Sequence, residues 1–229
     1  GIYWSNWAGL SDVSRSIQIQ RGIGASKLSS PSVGGSINIL TSALDTKTGG
    51  SLSYNMGNSG ENKILFSVSS GMTKNGWAFS LLGSKKWGDG YIYGTEGESY
   101  SWYVNIAKRI GDNHSLSLVA TGAPQSHYKR YDKLTIKEWQ RQKHVGIGAG
   151  YRYNATYGFD DAGREYHGTN YNYYHKPQIS LNHIWAIDHK SSLSSSLYMS
   201  IGSGYGYRGV GSGYSAFYGA SNGVPNTTY

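Results

Sequence analysis

The chain has 229 residues, room for one large or two small domains, and is 38% apolar but only 15% charged, so its polarity comes from Ser, Gly, Asn and Tyr rather than from salt-bridged surfaces. Lys plus Arg (21) over Asp plus Glu (13) gives a net charge of +8, yet the basic residues are scattered without a dense run, which argues against a nucleic-acid-binding face. The absence of cysteine excludes disulfides and thiolate metal sites, and no apolar run approaches the ~18 residues of a membrane-spanning helix.

The first readable element is "SIQIQ", Ser16 to Gln20, followed by "GIGASK" and a second strand, "SINIL". A phosphate-binding loop needs strand, glycine turn and helix. Here a strand follows instead, Lys27 stands where the third glycine would be, and no GxxxxGK[ST] is present. The glycines fit a tight reversal and close backbone approach.

From residue 51 the period is two, again and again. In "SLSYNMG", Leu52, Tyr54 and Met56 oppose Ser51, Ser53 and Asn55; in "KILFSVSS", Ile64, Phe66 and Val68 oppose Lys63, Leu65, Ser67 and Ser69. The same alternation marks "GWAFSLLGS", "YSWYVNIAK", "SLSLVA", "QISLNHIWAI" and "SLSSSLYMSI", giving seven strands in all. One short amphipathic helix is predicted, "LTIKEWQRQK" from Leu134 to Lys143.

The connections sort by length. "GMTKNG", "GDNH" and "DHKS" are tight turns, whereas the links between them are long: "GDGYIYGTEGE", a stretch of more than fifty residues from Gly122 to Lys176, and a Gly/Tyr-rich loop from about Gly202 to Tyr229. Only "GNSGEN" is short where a long link is allowed. Strands near the ~9–11 residues needed to cross a bilayer, with short turns at one end and long loops at the other, predict an all-β protein, a transmembrane antiparallel β-barrel. An antiparallel sandwich in water also alternates, but its polar face would carry Lys and Glu rather than Ser and Asn, and it has no reason to sort its loops. Seven strands leave edges that lipid cannot satisfy, so further strands are expected beyond Tyr229, or failing that from other copies of the chain, and the abrupt start at "GIYWSNW" reads as that of a piece of a longer protein.

The order Arg21-Gly22, Gly24-Ala25-Ser26, Gly34-Gly35 and Ile37-Asn38-Ile39-Leu40-Thr41 resembles the end of the plug domain of TonB-dependent outer-membrane receptors, over residues 13 to 41. It departs from the family at "KLSSPS", where a Tyr-Gly is common. The resemblance implies that residues 1–48 close a plug and 49–229 begin the barrel, with Arg21, Gly22, Gly24, Gly34, Gly35 and Asn38 as structural residues of the plug. It further implies energy-coupled import of a scarce ligand across the outer membrane of a Gram-negative bacterium. The ligand would be an iron chelate, haem or cobalamin-like molecule first, an oligosaccharide or peptide second. Expected partners are outer-membrane lipid and lipopolysaccharide, the inner-membrane TonB complex and a surface lipoprotein, with no nucleic acid and no cofactor. A surface-binding or adhesion barrel without transport is the alternative.

Loop aromatics are the ligand-contact candidates: Tyr91, Tyr93, His127, Tyr128 and Trp139, with Tyr171, Tyr173, Tyr174 and His175 behind them. Their rings can stack on a flat ligand or sugar face, or serve as interfacial girdle residues. The basic residues Lys129, Arg130, Lys137, Arg141 and Lys143 face the same choice between lipopolysaccharide and an anionic chelate. "GFDDAGRE" lacks EF-hand spacing, and there is neither HExxH nor G-x-S-x-G, so no metal site and no enzyme activity is expected.

Overall fold

The structure, a computed structural model, describes residues 12, 14, 16–21, 35–41, 43–130, 135–142, 150–154, 157–159, 162–166 and 170–207. Strands β1 (Ser16–Arg21) and β2 (Gly35–Leu40) pair antiparallel, with Gln18 opposite Asn38 and Arg21 opposite Gly35. Gly22, Gly24 and Gly34 lie outside the described residues. Arg21 is exposed at the strand end, and none of the ion pairs among the described residues includes it.

The main sheet begins with β3 (Gly49–Met56), β4 (Asn62–Ser69), β5 (Trp77–Gly88), β6 (Gly97–Ile110), β7 (His114–Gly122) and β8 (Gln125–Tyr128). The long connection holds α1 (Ile136–Gln142), a 3-10 turn at Gly150–Arg152 and the two-residue strands β9 (Gly158–Phe159) and β10 (Glu165–Tyr166). Then come β11 (Tyr171–His175), β12 (Gln178–Ala186), β13 (Ser192–Ser200) and β14 (Ser203–Tyr207). The order β13-β12-β7-β6-β5-β4-β3 is an antiparallel meander containing all seven predicted strands. The predicted helix is present as α1.

Two expectations are corrected. The connection from Gly122 to Lys176 is not loop throughout, because β8 pairs with β6 and with β11; likewise Gly202 onward is not all loop, because β14 pairs with β11. The register explains the breaks. Trp102 faces Gly122 and Ser99 faces Gln125, three steps on each strand, so nothing is inserted between β7 and β8. Pro124 merely lacks the N–H that the ladder needs, and its carbonyl still accepts from the Tyr100 N–H at 2.8 Å. Pro177 does the same between β11 and β12, where Tyr174 faces Gln125 and Gln178 faces Thr121. Three strands therefore run on past the level at which their periodic apolar residues end.

The two faces of the wall differ in kind. One carries Leu52, Phe66, Leu81, Leu118, Leu181, Leu197 and Met199, with Leu52 75% and Leu197 73% exposed. Exposed apolar patches on water-soluble monomers seldom exceed a few hundred Å²; this one crosses seven strands. The opposite face is Ser, Asn and small residues, and its centre is buried: Ala78, Leu82, Ser101, Tyr103, Asn105 and Ala107. Asn105 donates to the Tyr103 hydroxyl at 3.0 Å and accepts from Ser117 at 3.2 Å. Ala43 and Leu44 pack on Ala78 and Ala107, and Lys63 pairs with Asp12 at 2.8 Å, so the N-terminal segment contacts this inner face.

Aromatic rows bound the apolar face. Trp77 stacks on Phe79 beneath the Lys108 ammonium, 4.9 Å from the Trp77 ring, and Trp185 stacks on His114; at the other end stand Tyr54, Trp87, Tyr100 and Trp102. Trp77 and Trp87 are ten residues apart on β5. That is about 33 Å of strand, or about 25 Å across a membrane at the usual tilt, the height of a barrel's lipid-facing band.

Candidate functional site

The long connections and the continued strands meet at one end of the wall. Because successive residues of a strand point to opposite faces, His127 and Tyr128 part company there. His127 faces inward opposite Gly97; Tyr128 faces outward opposite Tyr171.

Two clefts open on the inner face, and His127 lines both. One, of about 600 Å³, is lined by Glu61, Lys86, Tyr91, Ser99 and Gln125; Lys86 and Glu61 pair across it at 2.8 Å. The other, of about 630 Å³, is lined by Lys129, Asn172, Tyr174, Lys176 and Gly204. Here β14 reads Tyr outward and Gly inward: Gly204 and Gly206 face Tyr174 and Asn172. A Cβ on Gly204 would sit 2.7 Å from the Tyr173 carbonyl oxygen, so the strand can approach this closely only as glycine. Burial, and secondarily the charge of Lys129, holds the His127 imidazole below its ordinary pKa, which leaves it neutral at pH 7, one nitrogen donating and the other accepting.

The outward tyrosines form a separate patch. Tyr128 meets Tyr171 edge-on at 5.0 Å, Tyr171 stacks on Tyr207 at 5.3 Å, and Tyr173 lies 5.4 Å from Tyr205. Burial first, then a hydrogen bond with Tyr207, pushes the Tyr128 phenol up to about 12.

A third cluster locks two connections together. The Tyr93 N–H donates to the Arg152 carbonyl at 3.0 Å, Asn154 Nδ2 donates to the Tyr93 carbonyl at 2.8 Å, and Arg152 Nε donates to the Tyr91 carbonyl at 2.9 Å. The Arg152 guanidinium covers the Tyr93 ring at 4.4 Å, and Tyr157 stacks on the same tyrosine at 6.2 Å. Arg130 donates to the carbonyls of Tyr151 and Tyr153, both at 2.9 Å, and lies 4.5 Å over Trp139, whose edge meets Tyr153. Partial burial lowers the Arg130 pKa.

Of the five predicted contact residues, the structure brings Tyr91 and His127 to one cleft. Tyr93 and Trp139 pack inside the locked cluster, and Tyr128 lies on the outer face. Among the basic candidates, Lys129 lines the second cleft, Arg130 braces the loop, and Lys137 is exposed; Lys143 lies outside the described residues, and of Arg141 only the backbone is described. Arg152, Asn154 and Lys176 were not singled out from sequence, although the "YNYYH" and "SGYGY" alternation marks the strands that carry the second cleft. The inner clefts offer hydroxyls, amides, ammonium groups and a neutral imidazole, a set suited to holding a ligand. Among the described residues no three metal-ligating side chains gather.

No protein-family model matches the chain, and no curated protein matches it. Among solved structures it is similar to the ferric-catecholate import receptor Fiu from E. coli K12 in an open form, at 13% identity and a TM-score of 0.61. The likeness covers 83% of this chain and 29% of that receptor, so the chain spans less than a third of its length. At that identity the likeness shows the fold alone, an antiparallel sheet of the kind that forms part of a β-barrel wall.

Proposed function

We propose that the protein is an outer-membrane import receptor in which this wall spans the lipid and the N-terminal segment, residues 1–48, closes a plug inside it. The observation that carries this reading is the sidedness of the sheet: an apolar face framed by aromatic rows, backed by a hydroxyl-lined face on which Ala43, Leu44 and Asp12 rest. The tight turns lie at the periplasmic end and the long connections outside, where the clefts around His127 receive the ligand.

Import is energised by the inner-membrane TonB complex. The ligand of first choice is a ferric chelate, on two supports: the likeness to a ferric-catecholate receptor, and the cations Lys129 and Lys176 beside the second cleft. Deleting the gene should abolish growth on a limiting iron chelate, and disabling the inner-membrane complex should abolish it equally. Uptake that survives loss of that complex would overturn the importer reading in favour of an adhesion barrel.

A further inference from the structure

Above the apolar band the outward face changes character, and neither the clefts nor the importer reading uses the change. Strands β7, β12 and β13 carry Leu118, Leu181 and Met199 outward. The strands that continue them, β8, β11 and β14, carry Tyr128, Tyr171, Tyr173, Tyr205 and Tyr207 instead. Between these rings stand Ser126, His175 and Ser203, so the outward side of the three continued strands holds no aliphatic group and no Asp, Glu, Lys or Arg. Their inner side is the contrast, for there His127, Lys129, Asn172 and Lys176 line the second cleft. A face that met only water would carry such groups too.

The rings also stand too high for acyl chains. Tyr128 lies six residues beyond Gly122, the partner of Trp102 in the upper aromatic row. That is about 20 Å of strand, or about 14 Å along the membrane normal at the usual tilt. A phospholipid headgroup layer is only about 5–8 Å deep, so it ends below them. Tyr171 is enclosed by Tyr128 edge-on at 5.0 Å and by Tyr207 stacked at 5.3 Å. Tyr205 and Tyr207 are 61% and 51% exposed, and their rings keep open surface.

We infer that this tyrosine face docks the core sugars of neighbouring lipopolysaccharide, with pyranose rings stacked on Tyr205 and Tyr207. A pyranose presents C–H groups from its flat face to an aromatic ring, and hydroxyls from its edge to phenols and serines. An acyl chain would leave those hydroxyls without partners, and the phosphates of the glycolipid find no cation here. Sugars alone match a surface that is aromatic, hydroxyl-bearing and uncharged at this height.

The inference rests on the reading that the wall spans a membrane with its long connections outside, and the experiment separates the two. The full-length protein is reconstituted into vesicles holding equal amounts of lipopolysaccharide with its complete core and of lipid A bearing only the first two acidic sugars. It is then extracted in mild detergent, and the retained glycolipids are counted by mass spectrometry. The complete-core form should be enriched about fivefold. Tyr205→Ala combined with Tyr207→Ala should bring the two forms level. Tyr205→Phe combined with Tyr207→Phe should keep most of the enrichment, because the ring faces remain. Circular dichroism confirms that each variant keeps its sheet. Equal retention of both forms by the native protein, or an enrichment that survives the double alanine change, overturns the site and leaves the membrane reading standing. Copy-to-copy crosslinking through a cysteine at position 205 also overturns it, assigning the face to a second copy of the chain. Protein that fails to enter the vesicles overturns both readings.

Discussion

His127 and Tyr128 are adjacent in the chain and serve opposite sides of the wall, the imidazole lining the inner clefts and the phenol packed 5.0 Å from Tyr171 on the outside. The pair therefore separates cleft lining from wall packing by a single step along β8. His127→Ala should weaken binding of a ferric chelate about five- to tenfold, the worth of one hydrogen bond. Tyr128→Phe should leave it unchanged. Quenching of intrinsic tryptophan fluorescence on titration with the chelate measures both.

The His127 imidazole also sets a pH dependence. Its folded-state pKa lies below the ordinary 6.5, because burial and then Lys129 oppose the charged form. The unfolded chain takes up the proton first, so the contribution of His127 to stability is complete above pH 6.5 and is lost as the pH falls toward the folded pKa. Lys129→Gln should flatten that loss, as denaturant midpoints between about pH 5 and pH 7.5 would record.

Tyr128 behaves in the opposite sense. With its phenol at about 12 against an ordinary 10.0, its contribution is intact below pH 10 and is lost as the pH rises through the folded value. Tyr207→Phe removes the hydrogen bond and should bring the phenol down toward the ordinary value without reaching it, because burial remains the larger cause. Ultraviolet titration of the phenolate band resolves the difference.

The Arg152 clamp ties residues 89–96 to residues 150–157. Arg152→Ala removes a guanidinium stacked at 4.4 Å on Tyr93 and a hydrogen bond to the Tyr91 carbonyl. Together these contribute about 1–2 kcal/mol, so the connection should open about five- to thirtyfold more often. Hydrogen exchange at the Tyr93 amide, which donates to the Arg152 carbonyl, reads that opening directly.

The contact of the N-terminal segment with the wall depends on small residues. Ala78 and Ala107 are wholly buried against Ala43. Ala78→Leu would overfill that contact, at a cost of about 1–3 kcal/mol. A spin-label distance between positions 43 and 107 should lengthen, while the ladder between β5 and β6 stays intact.

Much of this wall is legible in the sequence because a sheet with one apolar and one polar face writes that difference at every second residue. Leu52, Tyr54 and Met56 on one side and Ser51, Ser53 and Asn55 on the other require no tertiary knowledge. The continued strands were hidden for local reasons: Pro124 and Pro177 interrupt two of them, and the inward glycines of "SGYGY" look like loop composition although they serve a close strand approach. The clefts were harder still. Glu61, Lys86 and His127 come together through pairing of strands far apart in the chain, and the Arg152–Tyr93 clamp joins two connections that share no period. Ring type alone marked Tyr93 and Trp139 as ligand contacts, and it could not reveal that arginines already cover them.

The sidedness of the wall is the claim on which the rest stands, and these 229 residues hold no cysteine, so single cysteines can report it. Single cysteines placed at Leu52, Phe66, Leu118 and Leu181, and at Ser53, Ser67, Ser117 and Ser180, are exposed to a lipid-soluble and a membrane-impermeant maleimide in protein reconstituted into vesicles. The first set should resist the membrane-impermeant reagent and the second should react with it, alternating residue by residue. Equal aqueous labelling of both sets would contradict a membrane-spanning wall.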